Sequence, residues 1–246
     1  VISDDPRPCK GPFDFFHSAL SVFRRDPVQL PEYDFGTVFP TTPFEKLERA
    51  AKTNGVDLYD YRDLDVFPRK AEYDTDQWGY PSNKKRAHPF GKRSWTKTSA
   101  ILLHTYAVKG MGAHRFLGVP AHCGLADDGS PVLMHELWRL LAHGHAGNSF
   151  SVGLEVSGYC DFDSDKQIAM GRALIAYIFG ERRRHVGDLP MAIMTHRQSR
   201  RSRALDPGER IWRELGEWAI DVLGMVPGPV VGTGQSIDGW RGSWAA

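Results

Sequence analysis

Apolar and polar positions change rhythm near residue 95. Ahead of that point the chain is rich in Pro, Asp, Tyr and Phe and shows little periodicity. One short helix is predicted at "PFEKLERAAKTNG". Thr42 can cap its start, Phe44 and Leu47 fall three apart on one face, and Gly55 ends it. The stretch from "DYRDLDVFPRK" to "NKKRAHPFGKR" reads as a long irregular arm. It is too aromatic for a disordered tail and is expected to pack over a core.

Beyond residue 95 the pattern sharpens. "TSAILLHTY" is a short apolar run ending in polar residues, as a buried strand does. "SFSVGLEVSG" alternates Val152, Leu154 and Val156 against Ser151, Gly153 and Glu155, which predicts a half-buried strand with one carboxylate on its polar face. "LPMAIMTH" is a further apolar strand ending in histidine. Between the last two, Ile168, Ala169, Leu174, Ile175 and Ile178 fall near helical spacing, with Asp165 at the start and arginines at the end, as the helix dipole favours. In "DPGERIWRELGEWAIDVLG" the spacing puts Ile211, Leu215, Trp218 and Val222 on one helix face, with Pro207 where a first turn tolerates it. The expected fold is α/β, a central mixed β-sheet flanked by helices, with a long irregular N-terminal extension. The expected divisions are an extension over 1–94 packed on the core, a catalytic domain over 95–224, and a Gly-rich, extended surface tail over 225–246.

Composition narrows the partners. There are 31 basic and 30 acidic residues for a net charge of +1, which argues against nucleic acid, because counterion-release binding needs a net positive face. No apolar run approaches the roughly 18 residues of a membrane span, so no membrane insertion is expected. The chain opens "VISDDPRP", with neither an initiator Met nor a signal segment; this points to a trimmed or processed start and leaves the export route open. Cys9, Cys123 and Cys160 are too few and scattered for a disulfide scaffold or a Cys-rich zinc site, and whether any two pair is left open. Histidine says more: eight of ten lie between residues 104 and 196, against about four for an even spread.

Chemistry-bearing residues recur at strand ends: His104, Glu155 and the pair His196 and Asp206. Two imidazoles and a carboxylate make a zinc set that leaves a fourth position open for water or substrate. The plain alternative is that each histidine caps its strand by hydrogen bonding. Around the pair, Arg197, Arg200, Arg201, Arg203 and Arg210 look like a nucleic-acid patch, and a His-rich nuclease would rest on them alone. Other patterns fail. No His follows His135 by four, so the helical zinc-protease motif is absent, as are the G-x-S-x-G elbow and the phosphate loop. Cys123 and Cys160 have no nucleophile signature and read as filler.

The order "ILLHT", "AHCGLADDGSPV", "HAGNSFSVGLEVSG", "MTHRQS…DPG" resembles the zinc-dependent N-acetylmuramoyl-L-alanine amidases, the superfamily that includes the peptidoglycan-recognition proteins. The resemblance runs from about Trp95 to about Leu223 and, through "HRQS…R…DPG..IW", is closest in form to amidases of phages and prophages. It implies zinc ligands at His104, His196 and Asp206, and a catalytic Glu at Glu155. His122 and His145 match histidines for which a substrate contact and a structural hydrogen bond are equally implied. Many relatives carry Lys two residues before the third ligand; here Ala204 stands there, and Arg203 or another arginine of the loop is the substitute the sequence offers as stabiliser of developing negative charge. The implied activity is zinc-dependent cleavage of the amide between N-acetylmuramic acid and L-alanine, with peptidoglycan as partner. The implied place of action is the bacterial wall, on its periplasmic or extracellular side, as for an antimicrobial endolysin of a bacteriophage. The alternative is a module that binds peptidoglycan without cutting it. Oligomeric state, stem-peptide preference and the role of 1–94 stay open.

Overall fold

The computed structural model describes residues 41–63, 91–117 and 119–237. Most of the expected N-terminal arm and the last residues of the tail lie outside them. What is described of the first part includes helix α1 (Pro43–Thr53), closed at its start by a capping box between Thr42 and Glu45. Leu47 and Ala51 bury the inner face of this helix.

Strands β1 (Tyr59–Asp60), β3 (Ala100–Thr105), β4 (Cys123–Leu125), β5 (Pro131–Leu133), β7 (Ser151–Val156), β8 (Ala192–Thr195) and β9 (Val226–Pro227) form one sheet in the order β1-β5-β4-β7-β3-β8-β9. Only β4 and β5 pair antiparallel; the other neighbours are parallel. Strands β2 (Gly91–Lys92) and β6 (Arg139–Leu140) make a separate antiparallel pair. The expected mixed sheet with helices against it is what the chain forms.

Among the described residues every α-helix lies on one face of this sheet. Helix α2 (Lys166–Val186) contributes Met170, Leu174, Ile175 and Ile178 to a core shared with Leu47 of α1 and with Ile101, Leu103, Val152, Leu154, Val156 and Ile193 of the strands. Helix α3 (209–223) joins the same core through Ile211, Trp212, Leu215 and Trp218. The other face is covered by loops and 3-10 turns, packed as Ala100, Leu102 and Met194 with Phe150, and as Met111, Phe116, Val132 and Met134.

Three local expectations are corrected. The strand β7 is not half-buried: its residues are buried except Glu155, which is partly so. It lies between β4 and β3, and its polar face is roofed, with the Ser151 hydroxyl donating to the Gly147 carbonyl at 2.7 Å. In the last helix, Val222 is 58% exposed rather than core-facing. Helix α3 opens as Glu209–Ile211, passes through π-type turns over Trp212–Glu217 and closes as Trp218–Leu223. The wider turns insert one residue into the helical count, so Ala219 replaces the expected register and Val222 turns outward. Gly216 allows this packing, since a Cβ there would sit 2.3 Å from the Trp212 ring. The tail, finally, starts as a sheet edge: β9 pairs with β8, and Val231 and Gln235 then donate to the Gln198 and Arg197 carbonyls. Of the cysteines, Cys160 is disulfide-bonded and Cys123 is a free, fully buried thiol.

The weight of the core is on β3. Replacing Leu103, which has no exposed surface, by Ala is expected to cost about 2–5 kcal/mol in urea unfolding. The same kind of truncation at Val230, 49% exposed, is expected to stay within about 0.5 kcal/mol.

Candidate metal centre

Strand parity places the site. Successive side chains alternate between faces, and Ile101 and Leu103 of β3 point to the helices. Leu102 and His104 therefore point to the loop-covered face. On β7 the odd residues Ser151, Gly153 and Glu155 share that face, because Val152, Leu154 and Val156 face the helices. The register pairs His104 with Glu155. On β8 Met194 faces the loops, and the chain runs from there into the turn His196–Gln198. That turn is held by a capping box between Thr195 and Gln198. The loop after it returns Asp206 to the same spot, where its Oδ1 accepts the Thr105 N–H at 2.8 Å.

The outcome is a convergent donor set. His104 Nδ1 lies 2.9 Å from His196 Nδ1, which lies 2.8 Å from Asp206 Oδ2. One ligand-type atom from each of the three falls within 4.8 Å of the others, a cluster that could hold a metal ion. Bond lengths of about 2.0–2.2 Å to nitrogen and oxygen imply edges of about 3.3 Å in a tetrahedral site, close to these spacings. Glu155 stands beside this set: its Oε1 is 3.9 Å from His104 Nδ1, and its Oε2 is buried with no hydrogen-bond partner. His196 Nε2 is likewise buried and unpartnered.

The electrostatics follow from burial. Loss of water pushes the Glu155 carboxyl up to about 8, with Asp206 adding repulsion and Arg203 opposing it. Asp206 is raised for the same first reason. His104 and His196 are driven well below the usual imidazole range by burial, and their protons are further opposed by His196 in the first case and by Arg203 in the second. Neutral imidazoles with bare nitrogens are what a divalent cation requires.

The remaining candidates are placed as follows. His122 is fully buried and both ring nitrogens are engaged: Nδ1 accepts the Gly153 N–H at 2.9 Å and Nε2 donates to the Arg139 carbonyl at 2.9 Å. His145 is exposed at the mouth, its ring 5.3 Å from that of His196 and its Nε2 2.8 Å from Arg200 Nη1. Arg203 is exposed, and its charge acts on His104, His196, Glu155 and Asp206. Other arginines are used in packing: Arg197 donates to the Ser236 and Ala204 carbonyls, and Arg210 pairs with Asp161 and Asp165.

The sequence pattern gave no role to His143. It is buried against the site, with Nδ1 3.1 Å from His104 Nε2. A signal was present in Gly153, since a glycine within a strand marks a close approach. A Cβ at Gly153 would lie 2.5 Å from His143 Nδ1.

No family model matches the sequence, and no curated protein matches it. Solved structures do. The N-acetylmuramoyl-L-alanine amidase endolysin LysCS from Clostridium intestinale URNW is 15% identical with a TM-score of 0.43, over 54% of this chain and 88% of that one. The wild-type peptidoglycan-recognition protein PGRP-LB of Drosophila is 18% identical with a TM-score of 0.39, over 54% of this chain and 83% of that one. Likenesses of this size carry no argument about chemistry, which has to come from the side chains.

Away from the donor set, burial also lowers His135 from 6.5 to about 4. An unfolded His135 takes up a proton near pH 6.5, so between the two values the unfolded chain binds more protons. The neutral ring's contribution is full above that range and is lost as pH falls. Buried carboxyls such as Glu155 act in the opposite direction, so the test is a difference. Between pH 7 and pH 5, urea unfolding of His135→Gln is expected to lose about 2 kcal/mol less stability than the wild type. Parallel profiles would show that this ring is protonated at no cost.

Proposed function

We propose that the protein is a zinc-dependent N-acetylmuramoyl-L-alanine amidase acting on bacterial peptidoglycan. The observation that carries the reading is Glu155. It is a partly buried carboxylate in strand register with His104, beside a set of two histidines and one aspartate but not needed to complete it. Three protein ligands with a separate acid–base group is the arrangement of hydrolytic rather than structural zinc sites. The choice of substrate is supported by the motif order described above.

His104, His196 and Asp206 would hold the zinc, and their mixed nitrogen and oxygen donors suit that ion. When bound, zinc supplies a Lewis acid that polarises the scissile carbonyl and lowers the pKa of water toward about 7. Glu155 has the proton-handling role: it takes a proton from the attacking water and delivers it to the alanine nitrogen, which leaves only when protonated. Arg203 adds positive charge from the loop where Ala204 stands. A guanidinium there favours the negative charge that develops on the carbonyl oxygen. His145, at the mouth with Arg200, is placed to border a bound glycan–peptide strand. By the same reading residues 95–224 are the catalytic unit, acting at the wall as a phage-type endolysin does.

Digestion of purified peptidoglycan followed by mass spectrometry is expected to yield free L-alanine amino ends, to stop with chelator and to resume with zinc. Glycosidic or cross-bridge cleavage would overturn the assignment, and purified protein with no zinc and no turnover would favour binding without cutting. Glu155→Ala is expected to keep its zinc and lose about 10²–10⁴-fold in kcat. Turnover at the wild-type rate would remove Glu155 from the chemistry.

Arg203→Ala is expected to lower kcat about 10²-fold with KM little changed, while Arg201→Ala stays near wild type. Equal effects of the two would reduce the arginines to a general surface charge.

A further inference from the structure

His143 is fixed at both ends of its ring. Its Nε2 is 3.0 Å from the Ser151 carbonyl and 3.5 Å from the Ser151 hydroxyl oxygen. The carbonyl can only accept, and the hydroxyl spends its own proton on Gly147. Nε2 of His143 must therefore carry the hydrogen. The ring is buried and is hydrogen-bonded to no carboxylate among the described residues that would balance a second proton, so it carries that one hydrogen. Its Nδ1 is then a bare acceptor 3.1 Å from His104 Nε2, so the hydrogen of His104 sits on Nε2. That leaves His104 Nδ1 bare on the side of His196 and Asp206, the side of the donor set.

We infer that His143 is a positioning residue: the Ser151 carbonyl and the His143 ring together lock His104 in the tautomer and orientation that aims its Nδ1 lone pair at the metal-binding cluster. The edge-on ring contact of His104 with His143, at 77° and 5.4 Å, holds the plane of His104 as well. The ring fits because residue 153 is glycine, where a Cβ would collide with His143 Nδ1 at 2.5 Å. His122 lies edge-on behind it at 5.3 Å and is already committed to Gly153 and Arg139. It therefore cannot take over the bond to His104. A metal-binding histidine whose other nitrogen loses its acceptor typically costs 10–100-fold in affinity. Here that acceptor is itself an imidazole, held in turn by a strand carbonyl.

The test has two readouts on the full-length protein. Long-range proton–nitrogen NMR of the metal-free chain is expected to show His104 as the Nε2–H tautomer in the wild type. In His143→Leu it is expected to become a mixture. His143→Gln should restore the pure tautomer, since an amide can accept from His104 and donate to Ser151. Gly153→Ala supplies an independent perturbation that displaces the ring without altering it and is expected to mix the tautomers as Leu does. Zinc affinity by competition with a chromophoric chelator should fall about 10–100-fold in His143→Leu and recover in His143→Gln. An unchanged His104 tautomer in the Leu variant would overturn the inference. So would a Gln variant as impaired as Leu, because the effect would then be packing alone. Only the zinc readout rests on the function proposed above: a wild type that takes up no zinc but keeps the tautomer pattern would remove that function and leave the relay standing.

Discussion

The parallel pairing of β3 with β7 governs what the rest of the molecule can do. Its register sets Leu102 opposite Gly153 and His104 opposite Glu155. With a side-chain period of two, a slip by one residue would turn Glu155 toward the helices and bring Leu154 to the donor set. Six consecutive pairs, with Ile101, Leu103, Val152 and Leu154 buried on the helix side, make such a slip costly. The placing of Glu155 beside His104 is thus inherited from apolar packing on the opposite face.

The loop-covered face holds an unusual amount of polar material for a buried surface. His104, His122, His143 and His196 are all nearly or fully buried. Such groups are tolerated only when their hydrogen-bonding capacity is met. His122 and His143 meet theirs on backbone groups of β7 and the segment before it. Among the described residues the unmet atoms on this face are Glu155 Oε2 and His196 Nε2, both at the donor set, while Arg182, Trp212 and Trp218 each leave one nitrogen unmet on the helices. On the loop-covered face the orphaned atoms fall at the cluster, the pattern expected where a site is kept ready for something else to bind.

How much of this was legible in the sequence depends on the kind of signal. Apolar runs ending in histidine announced β3 and β8, because a strand-end residue is the one that changes from core to site. Alternation announced the inward face of β7. It said nothing of the roof over the other face, which is built by residues 143–150 from a separate stretch of chain. The same blindness hid His143, whose meaning comes from a strand glycine and a carbonyl eight or more residues away. The register shift in α3 was invisible for another reason: periodicity assumes uniform turns, and Trp212 against Gly216 widens them. The gathering of His104, His196 and Asp206 came from motif order; spacing along the chain gives no distance.

The confinement of the described helices to one face has an evolutionary consequence. Folding stability is vested in one side of the sheet and chemistry in the other, so the two can be selected separately. The loops carrying His145, the arginines and the rim around Asp206 can drift, lengthen or be exchanged between lineages while the keel of α1, α2 and α3 is left alone. Such a division lets the rim of the site be altered without disturbing the packing that folds the chain.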